Sequence, residues 1–418
     1  MTSPPSPARA EADSCPGVLR PHRAADGALL RLRVPGGRLT AATLGWISAA
    51  SLRHADGDIQ LTSRANLQLR GVTTDAGGAV AAALVDRVVA AGLMPKPSHE
   101  RVRNIVCSPL TGLLGGWADL RPLTRELDSR LCAAAELADL PGPFLFVLDD
   151  GRGDLTGLSA DLGVRAIGDG SVRMLVGGMS VGPVVPLAAA AGALIQLARR
   201  FLAVSRAHLR SQQLWHVREL PLGGRELLSD GAVVDRTPEN RSDPMPHGQL
   251  TQDDGHTVLS LLAPLGLLTA EQCAAVVEAA QVGSGALIVT PWRGLLVPDL
   301  APADVAALSS RLTGTGLELR PDSSWRGITA CTGAPRCAHG QGATRGLATA
   351  VAELRRAAGR QSAPVPVHVV GCERRCGSPG TAHVEVLNHG ATVEIALDGG
   401  VVVLPPADAP AAVVAAGR

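Results

Sequence analysis

The sequence predicts an α+β protein made by internal duplication, each half a ferredoxin-like unit followed by a larger α/β unit. Two observations carry this. The order β-α-β-β-α, read from hydrophobic periodicity, occurs twice, and both copies open their first helix on Leu-Thr-Ala (39–41 and 268–270). Further along each half, "VRNIVCSPLTG" (102–112) resembles "WRGITACTGAP" (325–335).

In "ALLRLRV" (28–34), Leu30, Leu32 and Val34 share one face and Arg31 and Arg33 the other, the alternation of a strand. "PGG" (35–37) turns the chain, and 39–55 read as a helix with Thr40 at its N-cap. "DIQLTSRANLQLRGV" (58–72) gives two short strands around Ser63–Asn66, and 77–92 a second helix. The second copy repeats this with a strand at 256–262, a helix at 268–281, two strands within 286–299 and a helix at 304–316. The expected division is a disordered leader (1–22), a ferredoxin-like unit (23–94), an α/β unit (95–222), a polar linker (223–248), a second ferredoxin-like unit (249–319) and a second α/β unit (320–418).

A formal net charge of +1 leaves no basic field for nucleic acid or an anionic membrane. The N-terminus has no signal-peptide pattern, and the longest apolar run, "VGPVVPLAAAAGALI" (181–195), is short for a bilayer and holds two prolines. A cytoplasmic protein is the expectation, and in a reducing compartment clustered cysteines bind metal or do redox chemistry.

Four of the eight cysteines form two such pairs, Cys331-x5-Cys337 and Cys372-x3-Cys376. Each pair follows an apolar strand-like segment and enters a Gly- and Pro-containing loop. Four thiolates suit a closed zinc site or a 4Fe–4S cluster; the wide first spacing favours the cluster. Cys107 stands near the repeat position of Cys331, without a second pair. Cys132 and Cys273 lie in apolar helical text and read as core, while Cys15 has no assigned role. His247, His339 and His368 lack the spacing of a facial triad, and His368 reads as a strand histidine. The acidic "DDGRGDLTG" (149–157) opposes a phosphate cradle, and no dinucleotide-binding unit is present.

The C-x5-C and C-x3-C pairs in the second half of a duplicated chain resemble the sulfite and nitrite reductase haemoprotein superfamily. "RLRVPGG" (31–37), "LTSRANLQLRG" (61–71), "RNIVCSP" (103–109) and "RMLVGGMS" (173–180) are similar to that family's ordered motifs. The resemblance implies a 4Fe–4S cluster on Cys331, Cys337, Cys372 and Cys376 beside a carboxylate-rich tetrapyrrole gripped by arginines. Carried over by position, these are Arg33, Arg64 and Arg103. It also carries departures. The reductases hold their small anion with two lysines in a segment where this chain has "LPGPFLF" (140–146), with Pro143 and Leu145 in their places, and Gln60 replaces a basic residue. The branch that these losses resemble is the precorrin-3B synthases of aerobic cobalamin synthesis. That branch implies precorrin-3A as substrate, O2, a 4Fe–4S cluster with a mononuclear non-haem iron, and electrons from an external NAD(P)H-dependent reductase or ferredoxin. The alternatives are a sirohaem-dependent sulfite or nitrite reductase, and a non-catalytic module that carries a cluster or zinc.

Overall fold

The computed structural model describes residues 13, 15–168, 170–179, 182–208, 214–228, 247–359, 365–397 and 400–416. Most of the expected leader and residues 229–246 of the expected linker lie outside these.

The first half begins with β1 (His22–Ala24), β2 (Gly27–Leu32), β3 (Arg38–Thr40), α1 (Ala41–His54), β4 (Ile59–Leu61), β5 (Leu67–Val72) and α2 (Ala82–Ala90). It continues with β6 (Ile105–Cys107), α3 (Arg121–Ala133), β7 (Phe146–Asp149), β8 (Leu162–Gly168), β9 (Ser171–Val176), β10 (Val184–Pro186) and α4 (Ala190–His208). The second half repeats the order. Its ferredoxin-like part has β11 (Gly248–Thr251), β12 (Thr257–Leu262), β13 (Leu267–Leu268), α5 (Ala270–Val282), β14 (Ala286–Val289), β15 (Gly294–Leu300) and α6 (Val305–Gly314). The last part has β16 (Ile328–Ala330), α7 (Thr344–Ala357), β17 (Val367–Val370), β18 (Val384–Asn388), β19 (Val393–Leu397), β20 (Gly400–Leu404) and α8 (Ala409–Ala416).

The duplication is explicit in the helix caps. Thr40 Oγ1 accepts from Thr43 N at 3.1 Å and Thr269 Oγ1 from Gln272 N at 3.2 Å, each closing a first turn left open by the helix. It is also explicit in the sheets. The two α/β units share one topology, β10-β9-β8-β7-β6 and β16-β17-β18-β19-β20, each with three parallel strands continued by antiparallel ones.

The ferredoxin-like units do more than repeat: they exchange an edge strand. β13 completes the first sheet, in the order β1-β2-β5-β4-β13, and β3 completes the second, β11-β12-β15-β14-β3. A tight turn precedes each exchanged strand, at Pro35–Gly37 and Pro264–Gly266. Gly37 sits at φ 70°, and a Cβ there would collide with the Val289 carbonyl of β14, so close crossing of the two halves requires glycine. Leu44 and Ile47 of α1 share one apolar core with Val276 and Ala279 of α5. The two units are therefore one body, which a boundary drawn along the sequence does not express.

The apolar run at 181–195 extends into a helix, Leu187–Ala207, long and apolar enough by length and composition to cross a membrane. Its Ala191, Leu194, Ala198 and Phe201 are buried in the core of the first α/β unit.

Candidate active site

The cysteine pairs are brought together by adjacent parallel strands. Ala330 of β16 pairs with Val369 of β17, and Cys331 N donates to the Val369 carbonyl at 2.9 Å. Cys331 and Cys372 thus leave the same edge of one sheet. The loop after Cys331 is held by Thr344 Oγ1, which donates to the Cys331 carbonyl at 2.7 Å, and by Cys337 N, which donates to Gly333 O at 2.9 Å. A Cβ on Gly371 would stand 3.2 Å from the Gly342 carbonyl, so the two loops pass in close contact there.

All four thiols line one cavity of about 600 Å³. Among the described residues no three of their sulfurs lie within 4.8 Å of one another. A single zinc with ~2.3 Å bonds would draw four sulfurs to roughly 3.8 Å. A closed zinc site would require these sulfurs to stand closer together than they do here. Burial pushes the Cys376 thiol pKa up, and the other three cysteines push it further, so they are near enough to oppose its ionisation; bound iron would relieve that.

The opposite wall is the face of the first sheet. Arg31, Gln68 and Gln60 sit in one register row across β2, β5 and β4. Arg31 Nη2 donates to Gln68 Oε1 at 2.8 Å, and Gln68 Nε2 donates to Gln60 Oε1 at 2.7 Å. The row ends on Gln60 Nε2, which is buried without a partner, as is Arg31 Nε. Arg293 and Arg345, from the second half, also line the cavity. Burial lowers the pKa of Arg31, Arg293 and Arg345 alike. None of the three forms an ion pair among the described residues. Arg70 differs, since it pairs with Asp26 at 2.7 Å and also donates to the Arg336 carbonyl at 2.7 Å. With the Arg336–Asp56 pair at 2.7 Å, that contact ties the first cysteine loop to the first ferredoxin-like unit. Three desolvated guanidiniums, an orphaned amide donor and an apolar flank of Leu29, Leu265 and Leu267 make a receptor for an anionic, largely apolar molecule.

The three arginines carried over from motif positions lie outside this cavity and are engaged by other protein groups. Arg33 shares a strand face with Arg31, but its guanidinium donates to the Pro16 and Arg101 carbonyls at 3.4 Å each, and burial pushes its pKa down to about 9. Arg64 Nη1 donates to the Pro143 carbonyl at 2.8 Å. Arg103 makes a bidentate pair with Asp128, both contacts at 2.7 Å, and donates to Leu93 O. None of them lines the cavity. Arg103→Ala should therefore cost about 3–5 kcal/mol of stability, because Asp128 loses its partner at a mostly buried pair. Urea unfolding checks this; an unchanged midpoint would show that the pair contributes nothing.

Two signals pointed to the arginines that the motifs missed. Arg31 precedes Arg33 by two, hence on the same face. Arg293 lies in the hairpin turn of the second copy, with φ 59° against 53° for Ala65 in the first. Pro143 and Leu145 contribute nothing to the cavity wall, and Leu145 is 3% exposed in a small apolar cluster.

The first half fills the matching sheet edge differently. Ser108 N donates to Leu148 O at 3.0 Å, as Cys331 N does to Val369 O, so Ser108 rather than Cys107 is the counterpart of Cys331. Cys107 is buried and its thiol is pushed up to about 12 by that burial. Where the second half has Cys372 and Cys376, the acidic loop brings Asp149, Asp150 and Asp154 together. They are held by Arg165 at 3.0 Å, Arg152 at 2.7 Å and Ser108 at 2.7 Å respectively. Of the histidines, His339 lines the cavity, His247 stands apart from it, and His368 is a buried strand residue, as its alternation implies. Cys273 is core, Cys132 is half-buried, and Cys15 lies beside Asp13.

Comparison with known proteins agrees with the motifs. Residues 20–87 and 250–314 match the nitrite/sulfite reductase ferredoxin-like half domain. A ferredoxin–nitrite reductase from Synechococcus elongatus is 27% identical over 86% of this chain and 76% of its own. A precorrin-3B synthase from Sinorhizobium sp is 25% identical over 94% of this chain and 84% of its own. The structure of Mycobacterium tuberculosis NirA superposes with a TM-score of 0.72 at 18% identity, over 92% of this chain and 79% of that one.

Proposed function

We propose that this chain, whose two ferredoxin-like parts match the nitrite/sulfite reductase ferredoxin-like half domain, is a precorrin-3B synthase-like mono-oxygenase. Precorrin-3A, O2, two electrons and two protons would give the hydroxylated lactone precorrin-3B and water. The observation that carries the reading is the cavity itself: three desolvated arginines, in no ion pair among the described residues, line the same space of about 600 Å³ as the four cysteines. A tetrapyrrole bearing several carboxylates supplies the missing counter-charges.

In this reading Cys331, Cys337, Cys372 and Cys376 hold a 4Fe–4S cluster, which would supply single electrons at the cavity. Arg31, Arg293 and Arg345 hold ligand carboxylates. Gln60 Nε2 donates to a ligand acceptor, reinforced through Gln68 by the charge of Arg31. Leu29, Leu265 and Leu267 exclude water from the macrocycle. The electrons come from an external NAD(P)H-dependent reductase or ferredoxin, and the protein works in the cytoplasm.

A second reading, a sirohaem-dependent nitrite or sulfite reductase, is favoured by the nitrite reductase relatives, and the same arginines would suit sirohaem carboxylates. Metal, sulfide and pigment analysis of anaerobically purified protein separates the two. Iron and sulfide without sirohaem is the expected result; bound sirohaem points to the second reading, and zinc alone to a structural site.

Arg31→Ala and Arg293→Ala should each weaken precorrin-3A binding by about ten-fold or more with the cluster intact, since a charge-assisted contact contributes ~1.5–3 kcal/mol. Absorbance titration measures this. Unchanged affinity in both variants would place the ligand outside the cavity.

A further inference from the structure

We propose that His368 is a positioning residue for the fourth cluster thiol, its ring braced by Thr329 and holding the main chain of Cys376 by a hydrogen bond to that residue's carbonyl. The proposal rests on the four-cysteine cluster reading given above.

The geometry runs across the sheet to the loop. Thr329 of β16 and His368 of β17 are register partners in a parallel pair. Thr329 Oγ1 lies 2.7 Å from His368 Nδ1, and His368 Nε2 lies 3.2 Å from Cys376 O. A carbonyl can only accept, so Nε2 carries the proton and donates. The neutral ring then accepts at Nδ1 from the Thr329 hydroxyl. His368 is 1% exposed, so the ring is fixed by the core.

Cys376 needs such a tie more than the other three. It is the exposed one of the four, in a loop that is exposed from Glu373 through Ser378. Cys331 is held at both its N–H and its carbonyl, and Cys337 at its N–H. The loop of Cys376 is also held by its own turns, Arg375 N to Cys372 O at 3.1 Å and Ser378 N to Arg375 O at 3.2 Å, and by two exposed or half-exposed side-chain contacts, Arg375 with Glu385 at 3.0 Å and Ser378 Oγ with His383 Nε2 at 3.1 Å. Among the described residues, His368 is the buried side chain that reaches the Cys376 peptide. Partners one shell out from a ligand fix its orientation, and their loss commonly costs about 10-fold or more in metal retention.

The test uses the full chain, reconstituted anaerobically with iron and sulfide, and follows decay of cluster absorbance in air together with thermal unfolding. His368→Leu should lose its cluster about ten-fold faster than wild type, with unfolding little changed. His368→Gln, whose amide can donate to the same carbonyl, should recover most of that loss, and Thr329→Val should fall between. The shape of the reduced-state paramagnetic signal should change in His368→Leu and return in His368→Gln. Wild-type decay in a folded His368→Leu protein, or no difference between the Gln and Leu variants, overturns the proposal. If His368→Leu fails to fold, Thr329→Val decides: decay at the wild-type rate overturns it. A wild-type chain that takes up no cluster at all overturns the cluster reading, and this proposal with it.

Discussion

Turnover of precorrin-3A by this protein should stop when dioxygen is removed, and the protein should not reduce sulfite or nitrite under any reductant. The argument is one of charge. Multi-electron reduction of a small oxyanion needs cations to hold it and donors to carry its oxygens away as water. At ~4 Å and an effective dielectric near 20, each lost ion pair is worth about 4 kcal/mol. Pro143 and Leu145 can form none, and Leu145 is packed into an apolar cluster. In the proposed reading, Arg31, Arg293 and Arg345 would meet the carboxylates of a large ligand. Dioxygen is neutral and needs no such clamp, whereas the tetrapyrrole still has to be oriented for attack at one carbon. Turnover with labelled O2 should place one labelled atom in the product. Product formation under strict anaerobiosis, or brisk sulfite reduction by a sirohaem-loaded preparation, would sink this reading in favour of a reductase.

The second large effect is expected at the cysteines. Serine at Cys331, Cys337, Cys372 or Cys376 should abolish the cluster absorption and its reduced-state paramagnetic signal, because a neutral hydroxyl replaces a thiolate ligand at a site built from four. Serine at Cys15, Cys132 or Cys273 should leave both intact; Cys273 is packed in the core and its thiol is held protonated, pushed up to about 11 by burial. Full iron and sulfide content in Cys372→Ser would count heavily against the ligand set.

Features that depend on short-range pattern were legible in the residues alone. Alternation marked β2; Leu-Thr-Ala marked the capped starts of α1 and α5; and the recurrence of the element order showed the duplication. The two cysteine pairs were legible for the same reason, since each hangs from the end of an apolar strand, and parallel pairing of β16 with β17 needed only adjacency to join them.

Which arginines reach the cavity depends on what covers each residue from far along the chain. Alternation put Arg31 and Arg33 on one face; the segment at Pro16 and Arg101 covers Arg33 and leaves Arg31 to the cavity. Arg103 matched a motif, yet Asp128, 25 residues on, takes both arms of its guanidinium. The exchange of β3 and β13 between sheets left no local mark, because a strand's pattern records which face is buried and not which neighbour supplies its hydrogen bonds. The cavity follows from that exchange. It sets Arg31 and Gln60 of the first half against Arg293, Arg345 and the four thiols of the second, and only the folded chain brings those charges close enough to act together.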